Sequence, residues 1–143
     1  MDERIAIWNL LHDGEITVAS QTSDALTLFI NIPYLRRRFE PIGGSFVLKL
    51  NGVTAIRFLN FDGKPEALDE QMQSGRPEIL STESEAMPVV INTTMGQLTL
   101  DFERVELALD TGSTISFQAL DQAAVAYWNE WEEKAGKARD QPT

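Results

Sequence analysis

The chain has 143 residues, 43% of them hydrophobic and 8% aromatic, which is too apolar for a disordered protein and enough for one core. Twenty-two acids against 12 Lys plus Arg leave a net charge of −10; a surface this negative repels phosphate backbones and anionic lipid, which argues against nucleic-acid and membrane roles. The absence of cysteine excludes disulfides, thiolate nucleophiles and thiolate metal sites together.

The start, "MDERIAIWNLL", carries acids where a secretory signal has a basic segment, and no apolar run approaches the ~20 residues that span a bilayer, so a cytoplasmic location is expected. Ile5, Trp8 and Leu11 fall at helical spacing with Ile7 and Leu10 beside them, which predicts a short amphipathic helix. Gly14 stands where such a helix ends in a left-handed residue. Two strands follow, "EITVASQ" with Ile16 and Val18 on one face and "DALTLFINI" with Leu26, Leu28, Ile30 and Ile32 on one face, joined by a turn at "QTSD".

The segment "LHDGEI" followed by "LTLFI" resembles small bacterial proteins in which an HD-x-x-I motif leads into a first antiparallel hairpin, among them immunity proteins of polymorphic toxin systems. The likeness covers about the first 32 residues and rests on four or five positions. Immunity proteins have no catalytic residues to transfer, so the resemblance implies an inhibitory, partner-binding role.

Between Tyr34 and Phe39 lies the one basic cluster, Arg36, Arg37 and Arg38. Guanidiniums among aromatics can hold an anion or dock an acidic partner, but on so acidic a domain pairing with the chain's own carboxylates is the simpler expectation. The strand "GSFVLKL" presents Phe46, Leu48 and Leu50, and Asn51-Gly52 then predicts a tight hairpin. In that register Leu50 faces Val53, Leu48 faces Ala55 and Val47 faces Ile56, and "VTAIRFLNF" is apolar on both faces.

Residues 62–86 hold seven acids against Lys64 and Arg76 and break the alternation. They read as an acidic, partner-facing surface connection with a short helix starting at Pro65. Strands resume with "PVVINTT", a turn near Met95-Gly96, and "QLTLDFERVELALD". Leu98, Leu100 and Phe102 share one parity and Val105, Leu107 and Leu109 the other, which requires a bulge or sharp bend at Glu103-Arg104. "STISFQA" is expected as the last strand, with Ile115 and Phe117 inward. The final helix is expected from an N-cap at Asp121 to Gly136, with Ala124, Val125, Trp128 and Trp131 on its apolar face.

His12 is the only histidine, so no HExxH helix and no histidine metal triad can be built, and no Ser lies in a GxSxG turn. Adjacent helical residues point about 100° apart, so His12-Asp13 is a junction rather than an acid-base pair. Asp101 and Glu103 share a strand face without the DxDxDG loop that calcium demands, and no GKS/T phosphate loop exists. No cofactor or metal is expected.

The expected architecture is α+β: a twisted, mainly antiparallel sheet or partly closed barrel of about seven strands with N- and C-terminal helices on it. Residues 1–137 form one domain and 138–143 a poorly ordered tail. The expected function is a non-enzymatic protein-binding module of immunity type that meets a basic protein partner through an acidic surface. Its candidate residues are Glu66, Asp69, Glu70, Glu83, Glu85, Asp101 and Glu103, with Arg36, Arg37 and Arg38 as a second contact. The alternatives are a small-ligand carrier with a cavity lined by Phe29, Phe46, Phe58 and Trp128, and a hydrolase built on converging carboxylates. An exposed sheet edge could also pair two copies into a homodimer.

Overall fold

Two antiparallel sheets with helices at both ends make an α+β fold, given by a computed structural model that describes residues 2–68 and 75–140. Asp2 caps α1 (Glu3–Leu10) by accepting the Arg4 N–H at 3.0 Å. Next come β1 (Glu15–Gln21), β2 (Ala25–Asn31), a single turn α2 (Pro33–Arg36), β3 (Ser45–Asn51), β4 (Ala55–Leu59) and β5 (Pro65–Glu66). Beyond them lie β6 (Ile79–Thr82), β7 (Val89–Thr93), β8 (Gly96–Asp101), β9 (Arg104–Leu109) and α3 (Phe117–Asp140). The first sheet runs β1-β2-β3-β9 and the second β5-β4-β8-β7-β6.

Period-two alternation gives each strand one apolar face. Leu26, Leu28 and Ile30 on β2 and Phe46, Leu48 and Leu50 on β3 are buried, facing Phe58, Ile91, Leu98 and Leu100 from the second sheet. Trp8 and Leu11 of α1 and Leu120 and Ala124 of α3 complete the same core.

Asn51-Gly52 does not close a hairpin. Leu48 pairs with Leu107 and Val47 with Ala108, while Ala55 and Ile56 pair with Asp101 and Leu100, so β3 and β4 belong to different sheets. Gly52 has φ +66° as a tight turn requires, yet the turn serves as a corner at which the chain changes sheets. The expected bend between β8 and β9 is the other half of that corner, placed at Phe102-Glu103. Thr54 N–H donates to the Asp101 carbonyl and Glu103 N–H to the Asn51 carbonyl, both at 2.9 Å. The parity change therefore keeps Leu98, Leu100 and Phe102, then Leu107 and Leu109, all in the core.

Five further expectations are corrected. A register shift between Ile16 and Val18 turns Val18 outward against Phe29, leaving it 46% exposed while Ile16 is buried. Residues 62–86 are not only a connection, since β5 and β6 within them edge the second sheet. Pro65 and Glu66 pair with Leu59 and Phe58 as β5 instead of opening a helix; residues 69–74, with Asp69 and Glu70, lie outside the described residues. Residues 113–119 are not a strand: Thr114 makes one bridge to Ala108, and the Ser116 hydroxyl accepts the Ala119 N–H at 3.0 Å, so α3 begins at Phe117. Gly136 does not end α3, which reaches Asp140; an interior glycine costs a helix only about 1 kcal/mol.

The left-handed residue after α1 is Asp13, at φ 69°, and not Gly14. Gly14 is needed for space. A Cβ there would meet Ile30 Cγ2 at 2.5 Å, Ile32 Cγ1 at 2.7 Å and the Leu11 carbonyl at 2.8 Å. This seam carries the contact between β1 and β6: Ile79 N–H donates to the Gly14 carbonyl and Asp13 N–H to the Ile79 carbonyl, each at 2.8 Å. Gly14→Ala should cost about 1–3 kcal/mol, as overpacking against buried side chains does. A urea midpoint unchanged by the substitution would contradict this close packing.

Candidate functional site

Directly paired strand residues share a face, so the burial of Phe58, Leu98 and Ile91 sends the alternate residues of the second sheet outward. One outward row is Leu59, Gln97, Asn92 and Ser81; another is Arg57, Thr99 and Val90; Ala55 and Asp101 follow. The first row is a ladder of amides. Gln97 Nε2 donates to Asn92 Oδ1 at 3.1 Å and to Glu83 Oε2 at 3.0 Å, and Asn92 Nδ2 donates to Ser81 Oγ at 3.2 Å.

Two large apolar side chains border the ladder in solvent. Phe61, just past β4, is 77% exposed, and Leu80, which alternates with the buried Ile79 on β6, is 49% exposed. With Leu59, Asn92 and Gln97 they line an open groove of ≈ 430 Å³. Exposed aromatic and aliphatic groups beside a polar, half-wet surface match the make-up of protein-docking patches more than that of a closed pocket.

The candidate acids distribute around this sheet. Glu83 and Glu85 are exposed after β6, Asp101 lies on the outer face of β8, and Glu103 is exposed at the corner. Glu66 stands apart on β5, at the opposite edge from β6, where Asn60 Nδ2 donates to it at 2.7 Å. Phe61, Leu80 and the Asn92–Gln97 ladder were not legible as site residues: alternation marks the odd positions of β8 as outward, but nothing local marks Phe61 as exposed.

The three arginines diverge. Arg36 is entirely buried and donates to the carbonyls of Ser45 (3.0 Å), Phe39 (3.3 Å) and Pro41 (2.9 Å) and to Asp110 Oδ1 (2.8 Å), so it is structural. Arg38 pairs with Glu130 and sits 5.7 Å over the Tyr127 ring. Arg37 is exposed. Beside them an aromatic corner joins α2 to α3: Tyr34 stacks on Tyr127 at 4.3 Å, Tyr127 meets Trp128 edge-on at 5.1 Å, and His12 stacks on Trp128 at 5.5 Å.

His12 is architectural. A carbonyl only accepts, so the 2.7 Å contact with the Asn9 carbonyl places the proton on Nδ1, and the ring ties the end of α1 to α3. Burial, helped by Asp13, Tyr127 and Glu78, pushes the Tyr34 phenol up to about 12, so it stays protonated and donates to the His12 carbonyl at 3.3 Å. Among the described residues no three His, Asp or Glu side chains are grouped so as to hold a metal ion, and no helix is long and apolar enough to cross a membrane. The proposed carrier lining is not brought together: Phe46 and Phe58 are buried in the core, whereas Phe29 pairs with the outward Val18 and Trp128 stacks on His12. Compared with known proteins, the chain matches no family, no curated protein and no solved structure.

Proposed function

We propose that this protein is a non-enzymatic, cytoplasmic protein-binding module, an immunity-type inhibitor that receives a basic partner on the outer face of its second sheet. The observation that carries the reading is the exposed pair Phe61 and Leu80 flanking the amide ladder, with Glu83 bonded to its Gln97 and Asp101 farther along β8 on the same outer face. In such an interface the apolar groups exclude water and supply affinity. The carboxylates steer a cationic surface, such as a nuclease cleft, and fix its register. The ladder offers acceptors and donors already held in place, which lowers the ordering cost of binding.

The tagged protein should retain a basic partner from lysate of its native host at low salt and lose it progressively as salt rises. Phe61→Ala with Leu80→Ala should weaken that complex at least about tenfold, roughly 1.4 kcal/mol or more, with no change of fold by circular dichroism. Glu83→Lys with Asp101→Lys should slow association most. Retention that high salt and both double variants leave untouched would remove the reading.

A further inference from the structure

The same chain carries a second concave surface of opposite polarity. Tyr34 of α2, Arg37 and Arg38 just after it, and Tyr127, Glu130, Trp131 and Lys134 on one stripe of α3 line a groove of ≈ 370 Å³. That volume lies at the lower end of ligand-sized concavities, which run about 300–1,000 Å³. Spacings of three and four residues along α3 are what set these four side chains on one helical face. Arg38 is held by Glu130 and by the Tyr127 ring, whereas Arg37 and Lys134 make no ion pair among the described residues. On a protein of net charge −10, three cations against one acid in a single groove is a local reversal of sign. Trp131, 53% exposed, meets Trp128 edge-on at 6.1 Å and gives the groove an apolar wall.

From this juxtaposition we propose that the groove between α2 and α3 docks an acidic peptide segment of a partner protein, its carboxylates on Arg37 and Lys134 and an apolar side chain against Trp131 and Tyr34. The field of the whole chain repels anions, so recognition here must come from contacts at close range. Arg37 supplies a planar fork that fits a carboxylate with two bonds, and Lys134 adds a point charge one helical turn beyond Glu130. Arg38 is pre-positioned by Glu130 and Tyr127, so the groove keeps its shape without the peptide.

The test titrates the full chain at low salt with an eight-residue peptide of alternating Glu and Leu, following tryptophan emission, with Trp131→Phe assigning the signal. Matched Lys-Leu peptide and inorganic phosphate are the comparison probes. The proposal expects saturable quenching or blue shift with the Glu-Leu peptide only, weakened by salt, and at least tenfold weaker binding in Arg37→Ala with Lys134→Ala. Both substituted residues are exposed, so that variant should melt as the wild type does. Phe61→Ala with Leu80→Ala should bind the acidic peptide normally, which separates this surface from the outer face of the second sheet. No saturable response, an equal response to the Lys-Leu peptide, equally tight binding of phosphate alone, or an unaffected double variant would each overturn it.

Discussion

Arg36→Ala should lower stability by about 2–4 kcal/mol, because it removes a wholly buried side chain that donates to three carbonyls and to the partly exposed Asp110, and should drop the thermal midpoint by on the order of 10 °C for a domain of this size. The guanidinium gathers the loop from Arg37 to Gly44 around itself: the Phe39, Pro41 and Ser45 carbonyls all end on its N–H groups. Alanine takes the guanidinium donors from the Phe39 and Pro41 carbonyls and from Asp110 Oδ1, and methionine, which restores volume but no donors, should recover only part of the loss. Asp110 is tied in turn by the Gly44 N–H at 2.8 Å and the Ser45 N–H at 3.1 Å. Burial alone would raise its pKa, but the Gly44 N–H, Arg36 and the Ser45 N–H outweigh that effect and hold the carboxyl below its ordinary value. A depressed folded pKa means stability that is present above the unfolded value, about 3.9, and is lost as pH falls through the folded one. Asp110→Asn should therefore be less stable than wild type at pH 7 and should lose less on acidification below pH ~4. An Arg36→Ala midpoint within a degree or two of wild type would contradict the clamp.

Arg36 also marks the boundary of what is legible in this sequence. Arg36, Arg37 and Arg38 are chemically identical neighbours; only the α2 turn, fixed by Pro33 and by the buried Leu35, decides that the first points into the fold and the second into solvent. Strand interiors were legible because alternation records one buried face, as in Leu26, Leu28 and Ile30. Strand partners were not. Asn51-Gly52 has the chemistry of a two-residue hairpin, and a corner uses the same positive φ; the choice between them is made by β8 and β9, distant in the chain. A local irregularity hid one exposed residue: the register shift in β1 turns Val18 outward against its alternation with Ile16. The acids of the candidate surface were countable, but the face that gathers Glu83 and Asp101 and leaves Glu66 at the far edge exists only after the second sheet is assembled.

Trp8→Ala and Trp8→Phe should differ sharply, and their difference tests how α1 is held. Trp8 is wholly buried in the last turn of the short α1, which reaches β6, β7 and α3. Eight residues of helix have little stability of their own, so α1 depends on this packing more than on its caps. Truncation to alanine removes the largest side chain of that contact and should cost about 3–5 kcal/mol, with α1 protecting its amides from hydrogen exchange far less than the sheets do. Phenylalanine keeps most of the aromatic contact. It also removes the indole Nε1–H, which is buried without a hydrogen-bond partner among the described residues. An unpaired buried donor carries a penalty of about 1–3 kcal/mol, so its removal offsets much of the void that the smaller ring leaves. Trp8→Phe is expected within about 1.5 kcal/mol of wild type by urea denaturation, in line with tolerated apolar exchanges in cores. Should Trp8→Phe prove as costly as Trp8→Ala, the indole nitrogen must have a partner, adding a buried polar contact to the Thr82–Asn9 hydrogen bond that already joins β6 to α1.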